Sequence, residues 1–225
     1  MRSFPYPDRE ASREELARDL LFDKIPIDQR EQIADRAWQT GVDAARALME
    51  AHGAGSAIWD IAAASGLEVK REDKDQVAGK VRYFSEYYSG RSQIVLYNRS
   101  VALWARQNAM EPKEAEELIL AHEYYHFLEC TQLGLTSKQY LVPTLKLGSL
   151  VLARSGVRAL SEIGAHGFAR TYCQLRQPGK WRGHGGQLLQ NHAVNRSEFE
   201  GRQMAAELYT GKFLTKILRR SNHGK

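Results

Sequence analysis

The run His122-Glu123-Tyr124-Tyr125-His126 constrains this chain more than any other stretch. It lies between Pro112 and Gly134, and those two residues suit the first turn and the end of a helix: proline lacks the amide proton that the first turn does not use, and glycine tolerates the left-handed closing conformation. Histidines four apart on such a helix stand one turn apart on one face. Ala115, Leu118 and Ile119 supply an apolar stripe that buries the segment, so the fold must close around two converging imidazoles. Two neutral ring nitrogens so placed are donors for one cation. Glu123, beside the first, is set to accept a proton from water on that cation rather than to bind it.

The surrounding pattern predicts an α+β chain, mostly helical, with a small sheet of about three strands packed against the histidine-bearing helix. Asp28-Gln29-Arg30-Glu31 after Pro26 reads as a capping box. Ile33, Ala37, Gly41, Ala44 and Leu48 then recur at helical spacing up to the stop at His52-Gly53. Ser56 is placed to cap a short helix through Ala64, with Gly66 as its left-handed terminus and an alternating strand from Leu67 to Lys70 after it. Val81 to Tyr87 and Gln93 to Tyr97, separated by Ser89-Gly90-Arg91, form a hairpin pattern. A short helix follows over Val101 to Ala109, then the histidine helix to about Leu133. The apolar stretch Leu145 to Leu152 is expected to pack beneath a later helix over Gly156 to Arg176. A loop from Gln177 to Gly186 and an amphipathic helix from Glu198 to Arg220 close the chain. Trp38, Trp59 and Trp104 fall within helical patterns and are expected in the core; Cys130, one turn beyond His126, is expected as a small buried residue.

A catalytic zinc site needs a third protein ligand and an open position. The downstream candidate is Glu162, with His166 four residues further on the same predicted helix. A carboxylate neutralises charge on a hard cation. An imidazole either fills the coordination sphere or orients another ligand, and both residues stay in play, Glu162 as the favoured ligand and His166 as its supporter or substitute. Gly164, Ala165, Gly167 and Ala169 around them indicate close packing against another helix. Zinc is the expected ion, and Mn2+ or Fe2+ suits the same donors. Arg182, His184, His192, Tyr97 and Tyr125 are candidate donors to a developing oxyanion.

The succession of the strand Gln93 to Tyr97, a short helix, Ala121 to His126, and later Glu162-Ile163-Gly164-Ala165-His166-Gly167-Phe168-Ala169 resembles the ImmA/IrrE family of compact gluzincin-like metallopeptidases. The second motif of that family typically reads Glu-x-x-Ala-x-x-Phe-Ala, matched here at Glu162, Ala165, Phe168 and Ala169. The likeness covers roughly residues 30 to 175. It implies a zinc-dependent endopeptidase with His122, His126 and Glu162 as ligands and Glu123 as general base. It also implies a protein or peptide substrate such as a transcriptional regulator or repressor, paired onto the edge of the small sheet. The chain departs from the pattern in a longer interval between the motifs, in Gly164 where an acidic residue is common, and in lacking a recognisable helix-turn-helix segment.

Charge and length complete the reading. At 225 residues the chain suits one domain with appendages: an arm over 1–26, the metallopeptidase-like domain over 27–176, and a basic loop and helix over 177–225. Its formal charge of +5 is uneven, with eleven Lys and Arg against three Glu from Arg170 onward. That imbalance carries the alternative function, a metal-containing regulatory module that engages nucleic acid or a protein partner through the basic C-terminal region. The first residues lack the apolar run of a secretory signal, and no later run is long enough to span a bilayer, so the expectation is a cytoplasmic protein with no membrane partner. Two cysteines, Cys130 and Cys173, without paired spacing indicate free thiols.

Overall fold

A computed structural model describes residues 2–79 and 81–182. In chain order its helices and strands are β1 (Arg2–Ser3), α1 (Ser12–Ala17), α2 (Ile27–His52), α3 (Ile58–Ala64), β2 (Glu68–Glu72), β3 (Gln76–Ala78), β4 (Val81–Tyr83), β5 (Ser85–Tyr88), β6 (Gln93–Tyr97), α4 (Asn98–Gln107), α5 (Pro112–Leu128), β7 (Leu141–Leu147), β8 (Leu150–Gly156), α6 (Ala159–Arg176) and β9 (Trp181–Arg182). This is the expected α+β class. The described residues group into two compact units, one of residues 2–5, 58–79, 81–123 and 179–182, the other of residues 6–57 and 124–178, with α5 contributing to both. The final helix expected over Glu198 to Arg220 and most of the basic C-terminal region lie outside the described residues.

The first unit is organised by a three-stranded sheet in the order β2-β6-β5. The central strand β6 is buried along its whole length, as a strand covered on both faces must be, and reads Gln-Ile-Val-Leu-Tyr without alternation. β2 runs parallel to β6 with Glu68 opposite Gln93, and β5 runs antiparallel with Ser85 opposite Leu96. The segment 81–87, expected as one strand, divides at Phe84: β4 turns back onto β3 in a separate two-stranded ribbon, and only β5 joins the sheet. Trp181, not among the aromatics expected in the core, is buried edge-on against Phe4, at 5.3 Å between ring centroids. Trp59 and Trp104 are only half-buried. The Arg71 guanidinium covers the Trp59 ring at 4.1 Å, and Trp104 leans on Phe84.

The second unit is built on α2 against α6. A Cβ placed on Gly41 would lie 1.9 Å from the Gly164 carbonyl oxygen, and one on Gly167 would lie 2.6 Å from the Trp38 carbonyl. The two backbones therefore touch where side chains would normally hold them apart, the close packing that the small residues of α6 had indicated. Trp38, Val42, Leu160 and Ile163 fill the core on either side, with Val142 and Val157 from the ends of the β7–β8 hairpin. The capping box is not formed. Pro26 is the N-cap of α2 and no side chain caps it, so Asp28 already lies inside the first turn, where its charge faces the positive end of the helix dipole instead. The stretch 145–152 also departs from expectation. It forms the β7–β8 hairpin, and Leu145, Leu147, Leu150 and Leu152 stand exposed rather than beneath α6. Cys130 is likewise exposed, because it sits on the π-helical turn Glu129–Leu133 that widens the end of α5 and rotates its side chain outward. Among the described residues no helix is long and apolar enough to cross a membrane.

Candidate metal centre

From Leu118 to Glu129 every residue of the α5 segment is buried, polar and apolar alike. The apolar stripe expected from the sequence is thus only part of the cover. A helix enclosed on all sides carries its imidazoles into the interior, where they must be satisfied by protein groups or a cation. His122 and His126 are one turn apart on it, and α6 delivers Glu162. One ligand atom from each of the three lies within 4.8 Å of the others, and all three residues are buried. This group could hold a metal ion.

The spacing fits that role. Nε2 of His126 and Oε1 of Glu162 are 3.6 Å apart, too far for a good hydrogen bond. Ligands about 2.0–2.1 Å from a tetrahedral zinc stand about 3.3–3.4 Å from one another, so the pair sits near the edge length of such a site. Two imidazoles and one carboxylate would leave one position open on a four-coordinate ion.

Two supporting contacts were not anticipated from the sequence. Within the second unit, Oε2 of Glu129 lies 2.8 Å from Nδ1 of His126. The other oxygen, Oε1, accepts from the Thr136 amide at 2.7 Å and from the Ser161 hydroxyl at 2.8 Å. A carboxylate held in this way takes the Nδ1 proton of His126 as its third donor, which fixes the tautomer and leaves Nε2 as the lone pair directed to Glu162. The only sequence trace of this is the i,i+3 spacing of His126 and Glu129; the π-turn and the partners from 136 and 161 are tertiary. Within the first unit, the Ser85 hydroxyl on β5 donates to Oε1 of Glu123 at 2.6 Å. Glu123 is buried, so this bond orients a carboxylate that has little solvent to do so. Nothing near Ser85 in the chain marks it.

His166 is buried one turn beyond Glu162 and is not a member of the three-residue group; its ring stacks on Tyr6 at 5.4 Å. Of the candidate oxyanion donors, Tyr125 shares a 2.6 Å hydrogen bond with the Thr136 hydroxyl, and burial followed by the Glu129 charge pushes its phenol well above the ordinary range. Tyr97 bonds to Glu86 and is raised in the same sense. Both hydroxyls thus stay protonated and engaged. Arg182 belongs to β9, and His184 and His192 lie outside the described residues. Glu15 on α1 is buried with its carboxyl pushed up to about 7, first by burial, with the nearby Glu162 charge adding to it and Arg18 at 2.9 Å opposing.

No family model, curated protein or solved structure matches the chain.

Proposed function

We propose that the protein is a zinc-dependent endopeptidase. The observation that carries the reading is the convergence of His122, His126 and Glu162 with the adjacent Glu123, a carboxylate that a purely structural metal site would not require. His122, His126 and Glu162 would hold a divalent ion, which would supply Lewis acidity toward a peptide carbonyl and lower the pKa of a water. Glu123, steadied by Ser85, accepts the proton and passes it to the departing amine. Glu129 keeps the His126 ring in the ligating tautomer. Glu162 contributes the negative charge that offsets part of the cation.

The substrate class follows from the resemblance to ImmA/IrrE peptidases: an extended segment of a regulatory protein, such as a repressor. β5 is an edge strand of the small sheet, and its first residue touches Glu123, so main-chain pairing along β5 would bring a peptide to the base. The test expresses wild type and Glu123→Gln in the native host and compares peptide termini across the proteome. A fragment produced by the wild type alone is expected. Identical termini in both, from folded and metal-loaded proteins, would overturn the reading.

A further inference from the structure

The β7–β8 hairpin turns at Gly148–Ser149, with Leu147 opposite Leu150 and Leu145 opposite Ala153. Paired residues share a face and alternate along each strand, so Leu145, Leu147 and Leu150 point the same way. Leu152, the extra residue at the bulge between the Leu145 and Lys146 pairings, joins them. Their exposures are 56, 71, 59 and 52%. A second register shift, where Thr144 is passed over in the pairing, brings Val142 onto the same face at the base; Val142 is buried in the second unit's core, and the leucines beyond it on that face are exposed. The base is rigid: a Cβ on Gly156 would lie 2.3 Å from the Ser137 carbonyl oxygen, and the Ser137 amide bonds to Ser161 on α6.

The charge of the hairpin has one sign, and its two cations, Lys146 and Arg154, alternate onto the face opposite the leucines. Between Glu129 and Glu162 there is no acidic residue, whereas Lys138, Lys146, Arg154 and Arg158 fall in that interval. Lys146 and Arg154 are exposed on the hairpin itself, and neither forms an ion pair among the described residues. A second copy is a poor match for the face, since four leucines fall well short of the roughly 20–30 residues a side that a stable interface uses. Nucleic acid is also a poor match, because single strands want aromatic platforms and the nearest candidate, Tyr140, is bonded to Gln29. Exposed leucines at the hairpin tip, with exposed cations on its other face and no acidic residue between Glu129 and Glu162, suit an anionic bilayer surface entered tip first.

We propose that the β7–β8 hairpin docks the protein onto an anionic lipid surface. Leu147 and Leu150 enter the acyl boundary first, with Leu145 and Leu152 behind them. At about 3.4 Å per residue, Arg154 stands roughly 14 Å behind Leu150, at headgroup level for an insertion of about 5–10 Å. Lys146 lies closer to the tip and reaches the phosphates along its flexible stem. This is attachment to one leaflet, and it revises the expectation of no membrane partner without requiring a spanning helix.

The test uses the full chain with vesicles of phosphatidylcholine alone or mixed with phosphatidylserine. Wild type is expected to sediment with the mixed vesicles. Leu147→Ser/Leu150→Ser, which changes only exposed side chains, is expected to lower the bound fraction at least about tenfold, and Lys146→Gln/Arg154→Gln by at least about fivefold. The emission of a Leu147→Trp variant, taken as the difference from wild type with its own four tryptophans, is expected to shift to the blue on adding vesicles and to be quenched by bromine-labelled acyl chains. Failure of wild type to sediment would overturn the proposal. So would sedimentation indifferent to the leucine changes, which would assign binding to the basic residues after Arg170. Emission from Leu147→Trp already blue and unresponsive to lipid would show the face covered by the chain beyond 182, a second copy or a protein partner, and would also overturn it.

Discussion

Replacing Glu129 by Gln tests whether a residue outside the metal group governs its affinity. The carboxylate accepts three donors: Nδ1–H of His126, the Thr136 amide and the Ser161 hydroxyl. A glutamine of the same shape has one acceptor oxygen. If that oxygen stays on Thr136 and Ser161, the amide NH2 faces Nδ1, and the ring relieves the donor-to-donor clash by moving its proton to Nε2, the atom 3.6 Å from Glu162. A protonated Nε2 cannot bind a cation, so each binding event must first reverse the tautomer. The expected loss in zinc affinity is about 10–100-fold, or about 1.4–2.7 kcal/mol. If the oxygen turns to His126, two buried donors lose their acceptor, and the cost falls on stability instead, at about 1–3 kcal/mol. Competition against a chromophoric zinc chelator, paired with urea unfolding of the metal-free protein, reads both outcomes. Affinity within twofold of wild type together with unchanged stability would refute the role given to Glu129.

Gly41→Ala is expected to destabilise the protein by about 1–3 kcal/mol or more, because its Cβ would meet a backbone carbonyl on α6 that cannot rotate away; urea unfolding measures it, and an unchanged midpoint would contradict the close approach. Ser85→Ala is expected to slow hydrolysis roughly tenfold with zinc content unchanged, since a hydrogen bond to a charged group is worth about 1.5–3 kcal/mol and only part of that differs between ground and transition states; loss of zinc instead would show a structural role. For Glu15, with its carboxyl raised from 4.5 to about 7, the folded chain keeps a proton that the unfolded chain releases, so stability falls as pH rises through that interval and the deficit is complete above it. Glu15→Gln is expected to remove that slope in metal-free protein and to gain on wild type by up to about 3 kcal/mol between pH 4.5 and pH 7, as read from paired urea unfolding curves; parallel pH profiles would refute the raised value.

Much of the site's framework is legible in the sequence because it is local. The proline and glycine bounds of α5, the i,i+4 histidines and the small residues of α6 are all repeating backbone geometry, and a sequence records such geometry directly. That Gly41 meets Gly164 could be suspected from two glycine-bearing helices, but which residue touches which could not. The leucines of the β7–β8 hairpin show the converse limit. Apolarity reports residue type and not environment, so 145–152 read as core although its leucines are exposed.

The sequence by itself determined the two imidazoles and the carboxylate of the histidine helix, since a helix places residues four apart on one face wherever it sits. Only the tertiary structure decided that Glu162, thirty-six positions beyond His126 in the chain, arrives 3.6 Å from its Nε2, and that Glu129 and Ser85 steady His126 and Glu123. The physical reason is range. Backbone periodicity fixes neighbours within a turn, whereas contacts between distant segments depend on which faces the whole chain can bury at once.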